Sequence, residues 1–209
     1  DALPIYGTSG AELWRSDGTT AGTVRVNDIN PGAGGSSPSS LVNLNGTLFF
    51  SADDGTAGAE LWKSDGTTAG TVRVKDINPG AGGSSPSSLV NLNGTLYFSA
   101  DDGGNGRELW KSDGTAAGTM PIKDINPGAS SSLAWGLTNV NGTLFFGATD
   151  GTTGLEPWKS DGTAAGTVRV KDINPGMGGS LFDPLFVNVG GLLYFFANDG
   201  TSGYEPWKS

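Results

Sequence analysis

The chain has 209 residues, 36 of them Gly, with no Cys, no His and a net charge of -9 at pH 7. The acidic balance excludes nucleic-acid binding, which needs clustered Lys and Arg to displace counterions, and disfavours an anionic membrane surface. Without Cys or His there are no disulfides, no thiolate or imidazole metal sites and no His-based triads, and no apolar run is long enough to insert into a bilayer.

In chain order, residues 1–6 read as the remnant of an aromatic strand, followed by the motif Glu12 to Thr19. A full unit is then legible from Ser40. Ser40–Leu44 is a short apolar strand, a. Asn45–Gly46 is a hairpin signal, because both residues tolerate positive φ. Thr47–Ala52 is an aromatic-rich strand, b, and 53–58 a polar loop. Ala59–Ser64 is strand c, carrying Trp62; 65–70 is a second turn; Thr71–Val74 is strand d, alternating apolar and charged. Asp76-Ile77-Asn78-Pro79-Gly80 then opens a long small-residue loop to the next strand a.

The unit repeats. Trp14, Trp62, Trp110, Trp158 and Trp207 are spaced by 48, 48, 48 and 49 residues. A fixed period of this length signals a repeat architecture. The expected fold is all-β: a β-propeller of four-stranded antiparallel units, strand a innermost and d at the rim, with strands a and b buried on both faces. The chain reads as one repeat domain, divided at roughly 1–39, 40–87, 88–135, 136–184 and 185–209. That is four repeat-equivalents plus a surplus strand c. The last unit lacks a strand d, which Thr23–Val26 can supply by closing a four-bladed ring. A five-bladed ring, part of a larger ring and an open array are the alternatives.

The segments Glu60-Leu61-Trp62 with Asp65-Gly66-Thr67, and Glu108-Leu109-Trp110 with Asp113-Gly114-Thr115, carry a resemblance to the ELWxxDGT-repeat family. Pro157 and Pro206 depart from it. The resemblance covers nearly the whole chain. It implies a β-propeller in a secreted or surface-exposed bacterial protein, and it carries over no catalytic residue.

Two constellations are candidate sites. Residues two apart in a strand share a face, so Glu60 and Trp62, Glu108 and Trp110, and Glu156 and Trp158 form carboxylate–indole pairs suited to a sugar ring. The bland alternative is that the Trp packs between blades. Trp135, where the previous copy has Ser87, is a further candidate, and Leu181-Phe182-Asp183 is a second unique departure. The b–c loops carry Asp54, Asp102, Asp150 and Asp199, an acidic face whose oxygens suit Ca²⁺; turn-capping by those Asp is the competing reading. Asn45-Gly46-Thr47 and its copies at Asn93 and Asn141 match a glycosylation pattern, but the hairpin turn explains them. The function expected is a non-enzymatic binding or adhesion module contacting carbohydrate or surface polymers. The alternatives are a structural unit that self-associates through its chain ends, and a propeller glycosidase with two carboxylates about 5–10 Å apart.

Overall fold

The computed structural model describes residues 10–183 and 185–209; the strand remnant read at 1–6 lies outside them. The regular structure of the described residues is all β, in five antiparallel sheets taken as blades. The first blade has β1 (Trp14–Arg15) and β2 (Val24–Arg25). The second has β3 (Ser39–Leu44), β4 (Thr47–Asp53), β5 (Ala59–Ser64) and β6 (Val72–Lys75). The third has β7 (Ser87–Leu92), β8 (Thr95–Asp101), β9 (Arg107–Ser112) and β10 (Met120–Lys123). The fourth has β11 (Trp135–Val140), β12 (Thr143–Ala148), β13 (Glu156–Ser160) and β14 (Val168–Arg169). The fifth has β15 (Val187–Val189), β16 (Leu192–Asn198) and β17 (Tyr204–Lys208).

Within each full blade the strands pair in sequence order, as tight turns require. Asn45, Asn93 and Asn141 hold φ of 52°, 53° and 51°, so the Asn-Gly dipeptides are the left-handed hairpin turns their chemistry favours. The a strands β3, β7, β11 and β15 neighbour one another along the inner edge. β3, β7 and β11 are only half-buried, with Leu41 exposed, and β15 is exposed throughout. Burial instead peaks on strands b and c, which corrects the reading of strand a as covered on both faces.

The core lies between blades. Leu44, Phe49, Leu61 and Val74 of the second blade meet Leu96, Phe98, Ala100 and Trp110 of the third. The same layering joins the first blade to the second, the third to the fourth and the fourth to the fifth. Polar links repeat with it: Lys63 and Lys111 donate from Nζ to the turn carbonyls of Gly114 and Gly162, each at 2.9 Å. The expected closure by Thr23–Val26 is corrected. Val24–Arg25 pairs with β1, and among the described residues the outer edge of β17 is unpaired and no hydrophobic cluster joins the fifth blade to the first. β2 is committed to its own strand c, so it has no free edge on that side to offer. The described blades form a row of propeller type.

Candidate functional site

The motif glutamate is a buried clasp. Glu60 Oε2 accepts the N–H of Ile77 at 3.0 Å and the Ser84 hydroxyl at 2.6 Å, and Oε1 accepts the N–H of Asn78 at 3.1 Å and of Ser84 at 2.9 Å. Glu156 holds Ile173 and Ser180 in the same way, Glu108 holds Ile125 and Ser132, and Glu12 holds Ile29 and Ser36. Each carboxylate pins the loop that leaves strand d, satisfying backbone donors that a small-residue loop cannot satisfy itself. Burial pushes the Glu108 carboxyl up to about 7, against the opposing donors. It also raises Glu60, whose Ser84 hydroxyl and three N–H donors pull back.

The Trp side chains are interface pieces. Trp62, Trp110 and Trp158 are buried. Lys75, Lys123 and Lys171 of the preceding blades lie 5.8, 5.7 and 5.2 Å from the ring centroids of Trp110, Trp158 and Trp207, in cation–π contact. The sugar platform read for Glu60–Trp62, Glu108–Trp110 and Glu156–Trp158 is therefore corrected. These carboxylates are spent on backbone N–H groups, and the indoles are stacked between sheets.

The acidic face resolves into separate turns. Asp54 Oδ1 accepts the N–H of Thr56 and of Ala57, each at 2.9 Å. Asp102, Asp150 and Asp199 close their own turns with the same atom. Burial pushes the Asp150 carboxyl up, but hydrogen bonds from Thr153 and Thr152 outweigh it and hold it at about 2. Asp199 is held at about 2 by the N–H groups of Ser202 and then Thr201. Among the described residues no group of three or more acidic side chains converges as a metal would require. Asp54, Asp102, Asp150 and Asp199, read as candidates for Ca²⁺, thus each cap their own turn through Oδ1.

Two surfaces remain. Trp135 sits at the start of β11, 42% exposed, where that strand leaves the d–a loop. On the fifth blade, Phe182, Asp183, Phe196 and Tyr204 line a shallow cleft of about 190 Å³. Its rings stand 80%, 58% and 51% exposed at Phe182, Phe196 and Tyr204. The departure at Leu181-Phe182-Asp183 therefore splits: Leu181 enters the core, and its two neighbours face this cleft.

Sequence reasoning missed a set of ion pairs. Arg73 bridges Asp54 at 3.3 Å and Asp76 at 3.7 Å, and Arg169 bridges Asp150 at 3.3 Å and Asp172 at 4.0 Å. The signal is a column of the repeat: Arg25, Arg73 and Arg169 align, and Pro121 interrupts them.

No family model matches the chain, and no curated protein matches it. Among solved structures it is similar to the computationally designed Ika8 protein, at 17% identity and TM-score 0.52, over 97% of this chain and 54% of that one. A puromycin hydrolase S511A mutant complexed with PGG aligns at 15% identity and TM-score 0.51, over 78% of this chain and 25% of that one. An alpha-L-arabinofuranosidase from Clostridium thermocellum aligns at 17% identity and TM-score 0.36, over 77% and 60%. This chain spans about half the length of the designed protein and a quarter of the hydrolase. At these identities the likeness to the designed protein and the hydrolase speaks for the fold alone.

Proposed function

We propose that this chain is a non-enzymatic binding module, in the secreted or surface-exposed bacterial setting its family resemblance implies, that contacts carbohydrate or a surface polymer. The observation that carries this reading is the cleft of the fifth blade, where three exposed rings and the Asp183 carboxylate line one shallow depression. Flat aromatic faces pack on apolar ring surfaces, and a carboxylate accepts hydroxyl hydrogen bonds. The motif glutamates, by contrast, are spent on loop clasps, and the b–c aspartates cap their turns through Oδ1, so a non-catalytic role fits them. Trp135 supplies a fourth exposed ring, on the fourth blade.

The test is a broad glycan array probed with the folded protein, with and without calcium, followed by Phe182→Ala and Tyr204→Ala. Binding that both substitutions weaken by about tenfold or more supports the reading. No binding to any glycan overturns it. A second reading, self-association, is favoured by the apolar outer face of the fifth blade, with Val187, Val189, Leu192 and Tyr194 exposed. Its measure is particle mass by light scattering across concentration: a single monomer mass throughout removes it.

A further inference from the structure

The ion pairs of the blades give the chemistry of a pocket that only the third blade leaves open among the full ones. In the second and fourth blades an arginine from strand d reaches between two carboxylates, one from the b–c turn and one from the d–a loop. The first blade keeps the d–a-loop half of this arrangement, with Arg25 at 3.3 Å from Asp28. The third blade retains both acids, Asp102 and Asp124, but has Pro121 where the arginine stands. A cavity of about 230 Å³ opens there, lined by Asp102, Asn105, Trp110, Pro121, Ile122 and Asp124 among others.

We propose that this pocket binds a guanidinium group, the arginine side chain of a polypeptide partner. The same pair of carboxylates ligates guanidinium in the sister blades, so the geometry for it is built into the repeat. The acids are not used up. Asp102 Oδ2 accepts the Asn105 amide at 2.8 Å, and a carboxylate oxygen has a second lone pair. Asp124 Oδ2 accepts the N–H of Gly128 at a long 3.4 Å. Asn105 also stands where Thr153 stands in the fourth blade, and the Thr153 hydroxyl accepts a hydrogen bond from Arg169. The Asn105 amide oxygen is the corresponding acceptor for an incoming guanidinium. Trp110 and Ile122 are buried and, with Pro121, give the alkyl stem an apolar wall.

The nearby cations, Lys123 of the pocket lining among them, have their partners elsewhere. Lys123 donates to the Thr167 carbonyl at 2.9 Å and lies over Trp158 on the next blade. Arg107 is bound to Ser87 and to the carbonyls of Ser84 and Ser99. Lys75 lies over Trp110 and donates to Thr119 at 2.7 Å. The fourth blade shows that such a lysine and a bridging arginine coexist, since Lys123 lies over Trp158 while Arg169 holds Asp150. A charge-assisted pair from a planar fork is what distinguishes guanidinium from a point-charge ammonium here.

The test is calorimetric titration of the whole chain with Nα-acetylarginine amide, with the neutral Nα-acetylcitrulline amide and glucosamine as controls. The wild type is expected to bind the arginine probe with Kd of about 1 mM or tighter and the citrulline probe at least about tenfold more weakly. Pro121→Arg restores the internal arginine of the sister blades and is expected to abolish binding while keeping the fold. Asp124→Asn is expected to weaken binding by about tenfold or more and decides the matter should Pro121→Arg fail to fold. No binding of the arginine probe by the wild type overturns the proposal. Undiminished binding by a folded Pro121→Arg, or binding of glucosamine in place of the arginine probe, does so too. The cleft of the fifth blade is untouched by these variants, so failure here leaves the carbohydrate reading to its own test.

Discussion

Glu60 of the second blade and Glu205 of the fifth occupy the same place in the same motif, beside Trp62 and Trp207. Glu60 is fully buried and accepts four hydrogen bonds from the loop that follows its blade. Glu205 is exposed, and no such set of loop donors meets it among the described residues. The face around it differs as well. Phe49 and Tyr97 are buried beneath the next blade, whereas Tyr194 at the same position is exposed, with Leu192 and Phe196 on the same side of its strand. The motif is thus half of a structure whose other half lies about 17 to 24 residues downstream, the separation at which Glu60 meets Ile77 and Ser84.

The largest effect expected follows from that difference. Glu60→Ala removes one acceptor group from two buried N–H donors, a part-buried third and a buried hydroxyl, and is expected to cost about 3–5 kcal/mol. Glu205→Ala exchanges one exposed side chain for another and is expected to stay within about 0.5 kcal/mol. Urea denaturation of both variants, read by Trp fluorescence, checks the pair. Equal losses would mean that the clasp contributes nothing that exposure does not.

Much of the architecture was legible because it is periodic. The Trp spacing set the unit, Asn-Gly fixed the a–b turn, and alternation in Val72-Arg73-Val74 marked strand d. Strand boundaries came out within one or two residues: strand c at Ala59–Ser64 is β5. The function of the Glu-x-Trp pair was not legible. Strand alternation correctly puts Glu60 and Trp62 on one side, but cannot say whether that side meets solvent or the preceding blade. That depends on how blades stack, a contact between residues about a repeat apart. The acidic face misled for a related reason. Counting Asp residues ignores the N–H groups two and three positions on, which take up each Oδ1 first. The arginine column was visible in the sequence, yet it acquires meaning only once Asp54 and Asp76 are seen to converge on Arg73.

A second comparison sets a glutamate of a central blade against an aspartate of the fifth, and the two respond to pH with opposite signs. Burial raises Glu108 from 4.5 to about 7, so the folded state holds a proton that the unfolded chain has released. Its contribution to stability is fully present below pH 4.5 and is lost as pH rises to about 7. Glu60, raised by the same burial, adds to this slope. Asp199 is lowered from 3.8 to about 2 by the N–H groups of Ser202 and Thr201. Its contribution is present above pH 3.8 and is lost as pH falls through about 2. Denaturation midpoints measured from pH 3 to 8 are expected to fall on the alkaline side, and Glu108→Gln is expected to flatten that fall whatever its effect on absolute stability. A slope unchanged in the variant would assign the alkaline loss to other groups.

The smallest effect tests whether the fifth blade can be brought nearer to the central ones by a single residue. Its first hairpin turns on Gly190–Gly191, where the second, third and fourth blades turn on Asn-Gly. Gly190 has φ of 60°, close to the 51° of Asn141 at the same place, and a Cβ added there meets nothing within 4 Å. Asn is among the few side chains that tolerate this left-handed region. Gly190→Asn therefore keeps the folded turn and removes freedom from the unfolded chain, and a gain of about 0.5 kcal/mol is expected. The same substitution written backwards, Asn93→Gly in the third blade, is expected to lose a similar amount. Hydrogen exchange at Val187–Val189 is the sensitive readout, because a strand of three residues opens locally before the blade as a whole unfolds. Slower exchange there with unchanged exchange in β8 would place the gain in the hairpin. If Gly190→Asn instead loses stability, the backbone at that turn is not the one shared by the other blades.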